Sequence, residues 1–593
     1  MIARCRTIGF SVVLLLAGSW SAVTAGEIGT NLSRLTEVNP NWMFVDLFKS
    51  AGEWIPQLAD SPSPWDTGQP LNFTPDGWPI LAPGQAAGVV IANVEGHYPA
   101  GQYLCLYDGT GEIEFGVDAS IVSSQPGQII VQVFPNVLTH LKIVQSDPAD
   151  PVRNVRFIMP GFWDNYDTQV FHPLYLQRLT PYSTIRFMDM QRTNSSLLQS
   201  WSDRPLPTDP KQTTGKGVAY EYMIELCNRT HCNPWICIPH LATDDYVTQL
   251  ATLISNDLDP TLKVYIEYSN EVWNLSYPQA IYCQGQGVSQ ALSTDPYQAQ
   301  LFYYSKRAVQ IFDIFETVFG GTSRLQRVLA GQLVNPWVGE QAVIFENAFE
   351  SADVLAMNVY LGYPLGTSLT PVIESWTSAD VHQAMIAEIP DIMSQVQGNM
   401  TTATTYGLEL VAYEGGQHLV GVGIFEQDPS LAAIFHAANR DPGMYDVYTQ
   451  FLQAWEAQGG GALLHYYQAG VPNQFGSWGA IEYQDQDLAE AHKYRALVDF
   501  NQVTFERGDC NGDGMMDISD VVYYLEGLFS GGTQPGCEDA CDSNDDGGLD
   551  ISDGVYVLQV LFQGGSPPPA PSGMCGSDPT MDSLYCLGSP SCP

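Results

Sequence analysis

The sequence predicts a multidomain protein: a β-sandwich-like N-terminal region, a (β/α)8 barrel, and a C-terminal module of paired loop–helix units. Three observations predict it. Strand-and-turn segments fill residues 26–150. Apolar strand runs then alternate with helical stretches through 151–503. A twelve-residue acidic loop occurs twice within 506–565, and a helical pattern follows each copy.

Length and composition allow this. The chain has 593 residues, enough for several domains and a large core. Its hydrophobic content of 45% and aromatic content of 11% are those of a globular protein. The formal net charge is −42, from 65 acids against 23 bases. That excess argues against nucleic acid and anionic membrane surfaces as partners. It fits a soluble extracellular protein or one that binds cations, and a solvated acidic surface accounts for most of it.

Residues 1–25 read as a signal peptide. Arg4 and Arg6 precede an apolar run, and Val23-Thr24-Ala25 is a small-residue cleavage site. No later stretch is long and apolar enough to span a membrane. The expected location is secreted, or attached at the cell surface. Disulfides are then allowed. Cys227, Cys232, Cys237 and Cys283 cluster around the barrel as candidates to pair, and six more cysteines gather after residue 509.

Within 26–150, strand-like runs at 88–94, 102–107 and 128–134 are separated by Gly, Pro and Asp turns, a sandwich signal. Trp42, Trp54, Trp65 and Trp78 are either core aromatics or a sugar-binding platform.

Within 151–503 the predicted strands are 155–160, 184–188, 234–239, 263–269, 328–333, 354–360, 408–413 and 461–467. Helical stretches such as 220–228, 246–255, 298–319 and 444–457 lie between them. The stretch 263–274, KVYIEYSNEVWN, is the most telling. A buried apolar strand runs into Asn270-Glu271, and a buried strand ends in an acid only if the acid has a partner or a task. The stretch 408–416, LELVAYEGG, repeats the pattern with Glu414, followed by two glycines that let the backbone turn. Glycoside hydrolysis needs two such carboxyls.

These residues resemble the clan A retaining glycoside hydrolases, which are TIM barrels and include cellulase-like enzymes. The resemblance implies that Glu271, closing strand four after Asn270, is the general acid/base, and that Glu414, closing strand seven, is the nucleophile. It implies substrate-binding roles for Asn270, for Arg186 on strand two and for His240 after strand three. Tyr360 on strand six would hydrogen-bond the nucleophile, and Trp478 after strand eight would stack on sugar. Glu267 matches an acid that often precedes the Asn-Glu pair, and reads as a buried partner rather than a catalyst. Trp163, Trp273 and His418 are further aromatic candidates. Asn270-Glu271 is followed by Val272, where the cellulase-like group commonly has Pro. The chemistry requires a raised pKa for Glu271 and an ionised Glu414, held so by Arg186 and Tyr360. No cofactor is expected for catalysis.

The acidic loops have the ligand spacing of calcium sites. Asp509, Asn511, Asp513, Asp517 and Asp520 occupy positions 1, 3, 5, 9 and 12, with Gly514 at position 6 and the Met515 carbonyl at position 7. Asp542, Asn544, Asp546, Gly548, Asp550 and Asp553 repeat this, with Gly547 at position 6. A duplicated loop-plus-helix with Asp at position 12 resembles a type I dockerin module. The resemblance implies two Ca2+ sites and a cohesin-type protein partner. Residues 566–593 form a Pro/Cys-rich tail.

The expected function is therefore a secreted retaining glycoside hydrolase that acts on a β-linked polysaccharide and is tethered through its dockerin. The alternative is a non-catalytic extracellular carbohydrate-binding protein whose barrel has lost activity.

Overall fold

The computed structural model describes residues 27–367, 375–501, 504–530, 535–576, 578, 580, 584, 586, 589, 591 and 592. The signal-peptide segment 1–25 lies outside the described residues. The chain divides into one compact unit spanning Gly26–Gln502 and a second from Val503 onward.

The larger unit begins with a short strand, β1 (Ile28–Asn31). It continues through β2 (Ile55–Leu58), β3 (Asn72–Phe73), β4 (Pro79–Ile80), β5 (Gln85–Ala92), β6 (Gly101–Asp108), β7 (Gly111–Val117), β8 (Ala119–Gln125), β9 (Gln128–Val133), β10 (Thr139–Ser146) and β11 (Arg153–Ile158). Then come β12 (Thr184–Arg186), β13 (Asn233–Ile238), β14 (Val264–Tyr268), β15 (Leu325–Ala330), β16 (Val354–Leu361), β17 (Glu409–Gln417) and β18 (Leu463–His465).

Among the described residues, β1 and β12 to β18 close an eight-stranded parallel barrel. β1 closes it by pairing with β12 on one side and β18 on the other, Ile28 opposite Leu463 and Asn31 opposite Arg186. The strands are buried on both faces, as a helix-covered parallel barrel requires. β14 is buried along its whole length, Glu267 included. The helix Pro296–Phe319 shows how the outer layer is punctuated. The Asp295 side chain caps its N-terminus, Pro296 takes the first turn, and Gly320 ends it in the left-handed region at φ +73°.

The first barrel strand differs from the expectation. Residues 155–160 were expected to supply it, with an N-terminal domain ending at 150. The structure instead begins the barrel at β1 and inserts the sandwich between β1 and β12. β11 belongs to the sandwich. Its sequence, RNVRFI, puts Arg153, Asn154 and Arg156 outward and Val155 and Phe157 inward. That alternation marks a strand with one wet face, not a barrel strand. β1 escapes notice because it is four residues long and contains Gly29. A Cβ there would lie 2.6 Å from the Thr184 carbonyl oxygen and 2.8 Å from Leu464 Cγ, so the closing seam admits only glycine.

The inserted sandwich pairs two antiparallel sheets, β2-β5-β10-β7 and β11-β6-β9-β8. Tyr103, Val131, Leu141, Ile143 and Phe157 fill the space between them. Trp42 and Trp78 are buried in this core, and Trp78 stacks on Phe48 with ring centres 5.9 Å apart. Of the four tryptophans, Trp65 is the exposed one, so they form no shared platform.

In the second unit the helices Ile518–Ser530 and Ile551–Gln563 meet where Gly554 faces Val521 and Leu525. The Tyr524 hydroxyl donates to the Asp550 carbonyl oxygen at 2.9 Å. Among the described residues, disulfides join Cys510–Cys541, Cys537–Cys586 and Cys575–Cys592. Cys227, Cys232, Cys237 and Cys283, expected as candidates to pair, are free buried thiols. Arg507 is fully buried and pairs with Asp545 and Asp578.

Gly29→Ala should destabilise the larger unit by about 1–3 kcal/mol, the usual scale of overpacking. A lowered melting temperature checks this, and an unchanged one would show that the seam can open.

Candidate functional site

The barrel strands deliver polar groups to their C-terminal ends. Asn31 ends β1 and Arg186 ends β12, while Glu267 lies deeper on β14. Beyond β14 the backbone turns sharply. Ser269 and Glu271 hold φ values of +63° and +42°, strained for non-glycine residues and of the kind that collects at functional sites. Glu414 lies within β17, with Gly415 and Gly416 behind it. A Cβ on Gly415 would come within 2.5 Å of the Val359 carbonyl oxygen, so the strand hugs its neighbour there.

Arg186 is the hub. It is completely buried, and it donates to Glu267 Oε2 from Nε at 3.1 Å and from Nη2 at 2.8 Å. Nη2 also reaches Asn270 Oδ1 at 2.9 Å, and Nη1 reaches Asn31 Oδ1 at 3.3 Å. The same Nη1 stands 3.8 Å from Glu414 Oε2. Trp235 Nε1 donates to Glu267 Oε2 at 2.9 Å. Burial works against the Arg186 charge, but Glu267, Cys237 and Glu414 together hold its pKa above the ordinary value.

Both candidate catalytic carboxyls are buried. The Glu271 carboxylate accepts from Asn274 Nδ2 at 3.0 Å and from the Tyr413 hydroxyl at 3.3 Å. Burial raises its pKa against those two hydrogen bonds. Glu414 is pushed up to about 8, first by burial and then by the charge of Glu271. Arg186 and a hydrogen bond from Tyr360 oppose this without cancelling it. Arg186 was expected to hold Glu414 fully ionised. The structure aims that guanidinium at Glu267, 1.0 Å nearer than Glu414 by the two closest approaches of 2.8 and 3.8 Å. Burial thus raises both carboxyls above the ordinary carboxylate range, and the charge of Glu271 adds to the rise at Glu414.

The remaining expected residues fall around this pair. Asn270 has its Oδ1 on Arg186 and its Nδ2 on Asn194 Oδ1 at 3.0 Å. His240 is buried with Nδ1 unpartnered, and burial lowers its pKa to about 4, so it is a neutral imidazole. Tyr360, Trp478 and His418 gather in one aromatic cluster, Tyr360 to Trp478 at 5.9 Å and His418 to Trp478 at 5.1 Å. Among the described ring contacts, Trp163 and Trp273 do not join it.

Three residues that the sequence reading missed lie here. Tyr466 and Tyr467, just past β18, both donate to Asp189 Oδ2, Tyr466 at 3.3 Å. The Tyr466 ring stands 5.7 Å from Trp478. Tyr413 and Asn274, which hold Glu271, were also missed. The rule that identified Glu271, a polar residue just beyond an apolar strand, would have found Asp189 and the two tyrosines.

In the second unit the two loops are folded alike. Asp509 Oδ1 and Oδ2 accept from the N–H groups of Asp513 and Gly514, at 3.0 and 2.9 Å. Asp542 does the same with Asp546 and Gly547, at 3.2 and 2.9 Å. Gly514 and Gly547 sit at φ +88° and +76°, a turn that glycine suits. Asp520 accepts from Asn511 N–H at 3.0 Å and Asp517 N–H at 2.8 Å, and Asp553 from Asp550 N–H at 3.0 Å. Asp553 is buried, and the Asn544 backbone also bonds its carboxylate. The Asn511 and Asn544 amides donate to Asp513 and Asp546. Among the described residues no cluster of three or more His, Cys, Asp or Glu side chains stands arranged to hold a metal. Calcium loops also draw on Asn and main-chain oxygens, here those of Met515 and Gly548.

No family profile matches the chain, and no curated relative matches it. Among solved structures, the chain has a partial likeness to a 4-O-α-L-rhamnosyl-β-D-glucuronidase from Fusarium oxysporum 12S, at 14% identity over 58% of this chain and 67% of that one, with a TM-score of 0.35. A Bacteroidetes-affiliated GH5 cellulase matches at 10% identity over 55% and 83%, TM-score 0.34. A GH5-4 broad specificity endoglucanase from Clostridium acetobutylicum matches at 13% over 55% and 88%, also 0.34.

The raised pKa of Glu414 has a sign. Below its ordinary value of 4.5 the carboxyl is protonated in both the folded and unfolded chain, and between 4.5 and about 8 only the unfolded chain releases the proton. Glu414 thus lowers stability increasingly across that window and by a constant amount above it. Glu414→Gln should raise the melting temperature over wild type by a margin that grows from pH 5 to pH 8. A margin independent of pH would show an ordinary Glu414.

Proposed function

We propose that the larger unit is a retaining glycoside hydrolase acting on a β-linked polysaccharide. The observation that carries this is the pair of buried carboxyls, Glu271 and Glu414, at the C-terminal ends of two barrel strands beside the buried Arg186. Double displacement requires two such carboxyls, one protonated as the general acid and the other ionised as the nucleophile.

In the first step the Glu414 carboxylate attacks the anomeric carbon. The glycosidic C–O bond breaks, and the Glu271 proton goes to the departing oxygen. In the second, Glu271 takes a proton from water. The water oxygen attacks the same carbon and displaces Glu414, and Glu271 is again protonated. Tyr413 and Asn274 orient the Glu271 carboxyl for both transfers. The aromatic cluster of Tyr360, Trp478 and Tyr466 offers faces for sugar stacking, and the unpartnered Nδ1 of neutral His240 is free to bond a sugar hydroxyl.

The second unit is read as a dockerin-like module that binds two Ca2+ ions and tethers a secreted enzyme to a cohesin-type protein. The matching loops, their glycine turns and the donor set of carboxylate, amide and main-chain oxygens support the fit to a cation. Asp509, Asn511, Asp513, Asp517, Asp520 and the Met515 carbonyl would hold one ion. Asp542, Asn544, Asp546, Asp550, Asp553 and the Gly548 carbonyl would hold the other. Bound calcium would neutralise the loop carboxylates and stabilise the module.

Reducing-sugar release from β-glucan, cellulose, mannan, xylan and galactan tests the activity. Glu271→Ala should lower kcat by about 10²–10⁴-fold on the polymer cleaved, the range for general acid–base groups. Glu414→Ala should abolish cleavage. Either variant acting like wild type sinks the assignment. Calorimetry on the chelator-treated full chain tests the module. Two equivalents of Ca2+ should bind, and Asp513→Ala and Asp546→Ala should each remove one. An absence of heat in wild type would defeat the calcium reading.

A further inference from the structure

Asp189 lies three residues beyond Arg186, on the segment leaving β12. Two tyrosine hydroxyls, from Tyr466 and Tyr467, converge on its Oδ2. Its Oδ1 has no hydrogen-bond partner among the described residues, and the side chain is half-buried rather than sealed. The charge of Asp189 acts on Glu414. The Tyr277 hydroxyl feels Glu271, Glu414 and Asp189 together. Tyr466, in turn, belongs to the aromatic cluster of Tyr360 and Trp478. Asp189 is thus tied to the carboxyl pair by charge and to the cluster by a hydrogen bond.

A carboxylate only accepts hydrogen bonds, and each oxygen has room for two. A sugar hydroxyl is a donor of the right kind, and its bond to a carboxylate is charge-assisted. We propose that Asp189 binds substrate. Its open Oδ1 accepts a hydrogen bond from a ring hydroxyl of the sugar lying against Tyr466 and Trp478, and its charge selects neutral sugars with that hydroxyl free over uronic acids. The proposal rests on the glycoside hydrolase reading above. A uronate would bring another negative charge close to Asp189, Glu271 and Glu414. The buried cation there, Arg186, is already aimed at Glu267. Like charges at short range in a poorly hydrated site repel strongly. Arg192, on the same segment, has no ion pair among the described residues and is the competing feature that would favour a uronate.

The test is steady-state kinetics on the neutral polymer that wild type cleaves best and on a uronate-bearing polymer such as glucuronan. Asp189→Asn keeps the shape and an acceptor for the two tyrosines while removing the charge. It should lower kcat/KM on the neutral polymer about tenfold or more with the melting temperature unchanged. The loss on the uronate polymer should be smaller, so the preference narrows. A variant within twofold of wild type on both polymers overturns the binding role. An equal loss on both overturns the selection, as does a wild-type preference for the uronate polymer that Arg192→Ala removes. If Asp189→Asn loses its fold, partially O-methylated neutral polymer takes its place, and equal cleavage of methylated and native polymer by wild type overturns the proposal. Wild type inactive on every polymer, or Glu414→Ala as active as wild type, defeats the hydrolase reading and this proposal with it. An inactive Glu414→Ala beside an unaffected Asp189→Asn defeats this proposal alone.

Discussion

The buried pair of Arg186 and Glu267 sets the terms for everything at the open end of the barrel. Neither side chain has access to water, so each needs the other and a full set of hydrogen bonds. Glu267 Oε2 takes two donors from Arg186, one from Trp235 and the thiol of Cys237 at 3.4 Å. Arg186 passes its remaining donors to Asn270 and Asn31. In this way one ion pair ties β1, β12, β13 and β14 together at the depth where the site begins. The Arg186 guanidinium also lies over the Tyr413 ring, 5.0 Å from its centre, which extends the tie to β17.

That arrangement has an electrostatic consequence for Glu414. A guanidinium already matched to one carboxylate neutralises a second only in part, and burial then governs the second. Glu414 is held where its charge is unfavourable, and Glu271 beside it adds to the effect. A purely structural core would replace such a pair by apolar residues. The left-handed backbone at Ser269 and Glu271 adds local strain at the same place.

Much of this was legible in the sequence because barrel strands announce themselves. Strands from β12 onward read correctly, since doubly buried runs such as VYIEY and VLAMNVY are apolar and β-branched, with turns between them. Glu271, Glu414 and Arg186 were legible for the same reason: a charge at the end of such a run stands out. β1 was not, because a four-residue strand carrying the glycine that the seam requires looks like a turn. β11 resembles a barrel strand in its apolar content, and only its alternation, with one wet face, sets it apart. Asp189, Tyr466 and Tyr467 each sit just beyond an apolar strand, where a local rule can flag them, but their meeting joins β12 to β18 across separations of 277 and 278 residues, and no local pattern records that. The acidic loops were legible as a repeat, but the buried Arg507 beneath them was not, since its partners Asp545 and Asp578 lie outside the ligand spacing.

The placement of β1 bears on how the molecule is made. Its partners on one side, Leu463 to His465, are the last barrel strand to leave the ribosome. The inserted sandwich has its own core and all of its strands precede β12, so it can form while the rest is being synthesised. The barrel is different. Ile28 must wait for more than 400 residues before its seam with Leu463 can close, and contacts of such separation form slowly. Until then the apolar edges of β12 and of each newly added strand stay open. Closure of that single four-residue strand completes the barrel.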